Sequence, residues 1–149
     1  MPYMRIGKSY TFDAAHQLEG HMGKCRNLHG HTYTVEVWLK GSVYKVPGAT
    51  DDGMVMDYGE LDSFVKPIID AMDHSFLTND YESTYLALIL QGTELKYFHL
   101  GARTTAENIA TYIGDALVKA MPSNIKTLGV RVSETPKSFA EYVVRVDQC

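Results

Sequence analysis

Two alternating stretches separated by a polar, glycine-rich segment constrain the fold more than any other feature of the chain. In residues 32–40, Tyr33, Val35, Val37 and Leu39 alternate with Thr32, Thr34 and Glu36, and residues 8–18 show the same alternation around Thr11 and Asp13. A period of two places successive side chains on opposite faces, so both stretches are expected to be strands. Between them, Glu19 to Gly30 carries three glycines, Cys25, His21 and His29. It is too polar and too glycine-rich for a core element and has the character of a functional loop.

Downstream, Gly41 to Gly53 holds Pro47, three glycines and two aspartates after position 50, the composition of an irregular excursion. Asp57 opens an expected helix whose Leu61, Phe64, Val65, Ile68, Ile69 and Met72 keep a helical period, with Pro67 as its weakest point. Thr104 followed by Glu107 matches a capping box for a second helix striped by Ile109, Tyr112, Ile113, Ala116, Leu117 and Met121 and stopped by Pro122. Leu128-Val130-Val132 and Tyr142-Val144-Val146, linked through Glu134, Thr135, Pro136 and Lys137, predict a closing hairpin. Tyr81 to Gln91 has the look of a short extra helix and Glu94 to Leu100 of a strand, with no function attached to either.

The expected order is ββααββ. It gives an α+β layer, a four-stranded antiparallel sheet with both helices on one face, in a single domain spanning 1–149. Such a sheet leaves two open edges, which a homo-oligomer would cover. At 149 residues and a formal charge of −4, with no block of like charges, the chain points to a small-molecule partner rather than nucleic acid or a membrane surface. Its longest apolar run, near Tyr85 to Leu90, is far short of the roughly 20 residues that cross a bilayer. Two cysteines, Cys25 and the terminal Cys149, and an opening without a secretory apolar core suit a reducing cytoplasm.

Chemistry concentrates in a few positions. His29 and His31 flank Gly30 where the second strand starts, so both imidazoles point to one face, and a neighbouring strand can bring His16 to them. Three neutral imidazoles with one open position make a catalytic zinc arrangement. Ordinary hydrogen bonding is the bland alternative for the pair alone, His21 is a rival ligand better read as a solvated loop residue, and His99 is better read as structural. Cys25, between Lys24 and Arg26, is a candidate base or nucleophile, a fourth zinc ligand that would close the site, or an inert thiol. Asp73-His74 at a helix end could move protons as an oriented pair or could simply answer the helix dipole. Glu134 could grip an amidine-like ligand edge through two parallel hydrogen bonds or could be an exposed strand-end glutamate. Glu107 has its own bland reading as the cap partner of Thr104.

Taken together, Phe12-Asp-Ala-Ala-His16, Cys25-Arg-Asn-Leu-His29-Gly-His31, Met54-Val-Met-Asp57-Tyr, Leu61, Asp73-His74, Thr105-Ala-Glu107-Asn and Glu134-Thr135 resemble the 6-pyruvoyl-tetrahydropterin synthase and 6-carboxytetrahydropterin synthase superfamily nearly end to end. The resemblance implies a tunnelling fold assembled as a hexamer of two stacked trimers, with sites at subunit boundaries. It implies zinc on His16, His29 and His31, Cys25 as the base, and Asp73 with His74 as a second proton-transfer pair from a neighbouring subunit. It also implies a pterin ring anchored by Glu134 with Thr105 and Glu107 nearby, and 7,8-dihydroneopterin triphosphate as substrate. The three-residue spacing between Cys25 and His29 resembles the bacterial branch that forms the carboxy product for queuosine and deazapurines. The pyruvoyl product and a non-catalytic zinc or pterin-binding module are the two rival readings. Ala106 stands where relatives often carry serine or threonine, and the segment from Ser75 to Arg103 is longer than in compact bacterial relatives.

Overall fold

The computed structural model describes residues 2–79, 90 and 92–146. The first two strands are the longest, β1 (Met4–His16) and β2 (His29–Gly41), and they pair antiparallel along their full length from Met4↔Gly41 to His16↔His29. β2 outruns its alternating stretch at both ends, and β1 starts before residue 8 but stops at His16, short of the expected end at Leu18; the cross-strand ladder continues through Gly7, Gly30 and Gly41, where no side chain marks the period. Helix α1 (Tyr58–Met72) begins where Asp57 accepts a hydrogen bond from the Gly59 amide and runs through Pro67. After it come β3 (Ser75–Thr78), β4 (Tyr97–His99), α2 (Ala106–Val118), β5 (Ile125–Thr135) and β6 (Ser138–Arg145).

The sheet therefore has six strands in the order β4-β3-β1-β2-β5-β6, and it is mixed. The expectation of four antiparallel strands is corrected by β3 and β4, which run parallel to β1 and to each other. With four and three residues, neither is long enough to display an alternation. The expected strand over Glu94 to Leu100 is confined to Tyr97–His99, and the expected helix over 81–91, apart from Leu90, lies outside the described residues, as does Cys149. At the other end, Glu134 and Thr135 belong to β5 rather than to the turn, so Pro136 and Lys137 alone separate the Thr135↔Ser138 pair.

Register explains the core. Tyr10↔Val35↔Val132 and Phe12↔Tyr33 put Tyr10, Phe12, Tyr33, Val35, Val37, Leu39, Leu128, Val130 and Val132 on one face. That face packs against Leu61, Val65, Ile69 and Met72 of α1 and Ile109, Ile113 and Leu117 of α2, forming one cluster, so both helices do cover the same side. The capping box does not form as expected: the cap of α2 is Thr105, whose hydroxyl accepts from the Asn108 amide, while Thr104 is fully buried. Thr104 is drawn inward because its main chain serves the histidine site described below.

On the opposite face Trp38 lies flat across Gly129 under the Arg5 guanidinium, 3.9 Å from the ring centroid, and donates from Nε1 to Glu141 at 3.0 Å. A Cβ on Gly129 would come within 2.0 Å of the indole. Gly129→Ala is accordingly expected to lose about 1–3 kcal/mol of stability through overpacking. Thermal unfolding checks this, and an unchanged melting temperature would mean that the indole can leave without loss. No described helix is long and apolar enough to cross a membrane.

Candidate metal and pterin site

The β1–β2 register builds the centre of the site. His16 and His29 are direct cross-strand partners, and His31 sits two residues along β2 on the same face. Their rings meet edge to face, with centroids 4.5 to 5.1 Å apart. The three Nε2 atoms converge: His16 to His29 is 3.0 Å, and His16 to His31 is 3.2 Å.

The outer nitrogens decide what those inner atoms carry. His16 Nδ1 lies 2.8 Å from the Thr104 carbonyl oxygen, and His29 Nδ1 lies 2.7 Å from that of Asn27. A carbonyl only accepts, so each Nδ1 must hold the proton and donate, which leaves Nε2 as a bare lone pair in the neutral ring. Two lone pairs facing each other at 3.0 Å repel unless a cation lies between them. This donor set fits a metal ion held by His16, His29 and His31, with the Thr104 and Asn27 carbonyls fixing the ligand tautomers. Sequence reasoning did not single out Thr104 or Asn27 for this, since a backbone carbonyl leaves no trace in residue type.

Burial, opposed by the Thr104 carbonyl, pushes the His16 pKa down from 6.5 to about 4, and His31 is also lowered, chiefly by burial with Glu134 working against it. An unfolded histidine titrates near 6.5, so between that pH and about 4 the unfolded chain binds the extra proton. Stability owed to His16 is whole above pH 6.5 and lost as the pH falls through the folded pKa. Metal-free protein is expected to be less stable at pH 4.5 than at pH 7, by at most about 3 kcal/mol from this group. Urea unfolding at the two pH values reads it, and equal stability would contradict a neutral buried His16.

Beside the triad, Glu134 of β5 places Oε2 3.7 Å from His31 Nε2. It also lines a cavity of about 350 Å³ together with Thr105, Glu107, Arg103, His21 and Phe139. The three residues expected to hold a pterin are thus gathered at one hollow of ligand-binding size. Arg103 and His21 join them without having been expected there. Glu107, freed from the capping box, is exposed, and Ala106 lines the cavity beside it. His21 is exposed and accepts from the Gly23 amide, apart from the ligand cluster, while His99 on β4 pairs with the Thr78 hydroxyl of β3.

Cys25 is half-buried on a single 3-10 turn, Lys24–Arg26, whose Cys25 carbonyl accepts from the Leu18 amide at 2.8 Å. It lines neither this cavity nor the hollow described next. It nevertheless acts electrostatically, with Glu134, on the buried hydroxyl of Tyr33, whose pKa is raised chiefly by burial and further by these two residues.

Asp73 and His74 end α1 on a separate hollow of about 460 Å³, lined by His74, Asp13 and Thr32 and also by His31. His74 adopts φ 54°, left-handed backbone that costs a non-glycine residue roughly 1–2 kcal/mol. The conformation is held reciprocally by β1: the His74 amide donates to the Asp13 carbonyl at 2.7 Å, and the Asp13 amide donates to Asp73 Oδ1 at 2.9 Å. Asp73 Oδ2 then meets His74 Nδ1 at 2.9 Å. The Asp13 amide and the His74 imidazole hold the Asp73 carboxyl below its usual range. Neither residue of the pair lines the Glu134 cavity of its own chain.

Residues 5–144 match the family model described as 6-pyruvoyl tetrahydropterin synthase. The chain is 44% identical over 142 residues to the 6-carboxy-5,6,7,8-tetrahydropterin synthase of Haemophilus influenzae, covering 93% of this chain and 97% of the relative. It is 40% identical over 139 residues to the synthase of the same description from Synechocystis sp., covering 92% and 91%. Among solved structures, Caenorhabditis elegans 6-pyruvoyl tetrahydropterin synthase superposes with a TM-score of 0.64 at 28% identity, covering 95% and 96% of the two chains. The Plasmodium vivax 6-pyruvoyl tetrahydropterin synthase shares the fold, with a TM-score of 0.75 at 19% identity over 97% and 99%. With its sheet, its helices and almost its whole length matched in this way, the chain belongs to the 6-pyruvoyl tetrahydropterin synthase family.

Proposed function

We propose that the protein is a zinc-dependent 6-carboxy-5,6,7,8-tetrahydropterin synthase. It converts 7,8-dihydroneopterin triphosphate and one water to 6-carboxytetrahydropterin, acetaldehyde and triphosphate, a step toward queuosine and other deazapurines, in the cytoplasm. The observation that carries this is the convergence of three Nε2 atoms, those of His16 and His29 as bare lone pairs, beside the Glu134 cavity. The 44% identity to a synthase of that description selects the carboxy product.

His16, His29 and His31 hold the ion, which when bound supplies the Lewis acidity that makes a neighbouring substrate hydroxyl easier to deprotonate. Glu134 accepts two hydrogen bonds from the amidine-like edge of the pterin and fixes its orientation. Thr105 and Glu107 line the same hollow, and Arg103 offers a cation on its wall for the triphosphate. Cys25 takes a proton from the substrate side chain. Asp73 holds His74 through Nδ1 and leaves Nε2 to receive or return a proton.

As the family resemblance implies, the Asp73–His74 pair serves the site of a neighbouring copy, and the working assembly is a homo-oligomer, a hexamer of two trimers; the position of the pair off the Glu134 cavity of its own chain agrees with this. Among the described residues β4 and β6 form the edges of the sheet, which supports this reading.

The test is incubation of zinc-loaded protein with 7,8-dihydroneopterin triphosphate and identification of the products by mass spectrometry. A carboxypterin with acetaldehyde supports the proposal. A pyruvoyl-tetrahydropterin moves the chain to the pyruvoyl branch, and binding of zinc and pterin without turnover makes it a binding module.

A further inference from the structure

Tyr33 carries an oxygen that the fold itself does not use. Its side chain is fully buried, and its hydroxyl has no hydrogen-bond partner among the described residues. The ring cannot swing to find one, because it is stacked on Phe12 at 4.8 Å and 9° and wedged edge-on against His31 at 5.4 Å and His16 at 6.1 Å. A buried hydroxyl without a partner destabilises the folded chain, and phenylalanine would fill the same space without that loss. Arg131 Nε, the other buried side-chain polar atom without a hydrogen bond among the described residues, still has the Glu141 carboxylate at 3.4 Å.

A matching vacancy exists on the acceptor side. The Glu134 carboxylate makes no hydrogen bond among the described residues, and His31 Nε2 lies 3.7 Å from it. That nitrogen is also the atom His31 presents to the metal triad. Once its lone pair is committed to an ion, Glu134 needs a donor elsewhere, and Tyr33 is its neighbour: the β2–β5 ladder pairs Thr34 with Ser133, so the next residue along each strand is Tyr33 and Glu134, and both sit against His31, at 5.4 Å between ring centroids and 3.7 Å from Nε2. A tyrosine hydroxyl with an ordinary pKa near 10 is a donor at neutral pH.

We propose that Tyr33 is the positioning residue for Glu134: its hydroxyl donates to one carboxylate oxygen in the metal-loaded site and aims the carboxylate at the amidine edge of the pterin. No proton leaves Tyr33. The inference rests on the pterin reading of the cavity and adds to it the group that sets the aim of the anchor. A carboxylate that must accept two parallel hydrogen bonds from a planar edge works only in the plane of that edge. A donor from a ring locked between Phe12 and two histidines supplies this alignment without waiting for the ligand.

The test is a double-mutant cycle on metal-loaded protein, reading the affinity for neopterin, a fluorescent and unreactive pterin, beside turnover of the triphosphate. Tyr33→Phe is expected to keep the wild-type metal content and, metal-free, to melt no lower than wild type. It is expected to lose about tenfold in neopterin affinity, with KM rising more than kcat falls. In a Glu134→Ala background the same substitution should cost no further affinity. Unchanged affinity in the first case, or the same tenfold loss in both backgrounds, overturns the inference. If wild-type protein binds neopterin without turning over the triphosphate, the synthase reading fails while the cycle still decides the role of Tyr33. Absence of any neopterin binding to wild type overturns both.

Discussion

Substitution of His16 by alanine is expected to strip the metal from the protein and to lower turnover about a thousandfold or more. The magnitude follows from the several kcal/mol that a bound ion contributes by stabilising developing charge, at about 1.4 kcal/mol per tenfold in rate. His16 is the ligand for which the loss is hardest to repair. It is completely buried, both of its ring nitrogens are committed, and its Nε2 is within 3.2 Å of both other ligand atoms. Removing it leaves His29 and His31 as a pair of imidazoles, the Thr104 carbonyl without its donor, and a cavity the size of an imidazole at the end of the core. Elemental analysis of the purified variant, alongside the product assay, reads the result. A variant that kept a full complement of metal would show that the triad is not the binding site.

Cys25→Ala is expected to behave in the opposite way, keeping the metal and the pterin but losing catalysis. A positioned base contributes about 10²–10⁴-fold to a rate. The loss should therefore appear in kcat, with metal content and neopterin affinity at wild-type values. The structural reason is separation: Cys25 belongs to the 3-10 turn of the connecting loop, whereas the ligands sit on the paired ends of β1 and β2. Trimming one sulfur from a half-buried turn leaves the Leu18–Cys25 main-chain bond in place. Wild-type turnover in this variant would remove Cys25 from the proton-transfer scheme and leave Asp73 and His74 to account for it.

The site was legible where it depends on side chains that repeat along a strand. His29-Gly30-His31 follows the period of β2, and that period, once continued, predicts that both rings share a face with Tyr33 and Val35. Glu134 was harder to read because the ladder becomes irregular between Val132 and Thr135, which hides the period at the strand's end. The capping box failed for a related reason. Thr104 and Thr105 are chemically equivalent as caps, and only the inward pull of His16 on the Thr104 carbonyl decides between them. β3 and β4 were out of reach because short parallel strands are defined by their neighbours: Ala14↔Ser75 and Phe76↔Tyr97 are tertiary pairings with no local pattern. The left-handed conformation of His74 was equally silent in the sequence, since a histidine there is favoured by the grip of Asp13 rather than by its own backbone preference.

The pairing of His16 with His29 at the very end of the β1–β2 ladder gives the ion a second consequence. A metal held there would close residues 16–29 into a ring, fastening the ladder at its open mouth while Met4↔Gly41 marks its far end. Amide exchange in β1 and β2 would then become graded when the ion is withdrawn, fastest near His16 and slowest toward Leu39, as a zip frays from the end where its clasp has been released.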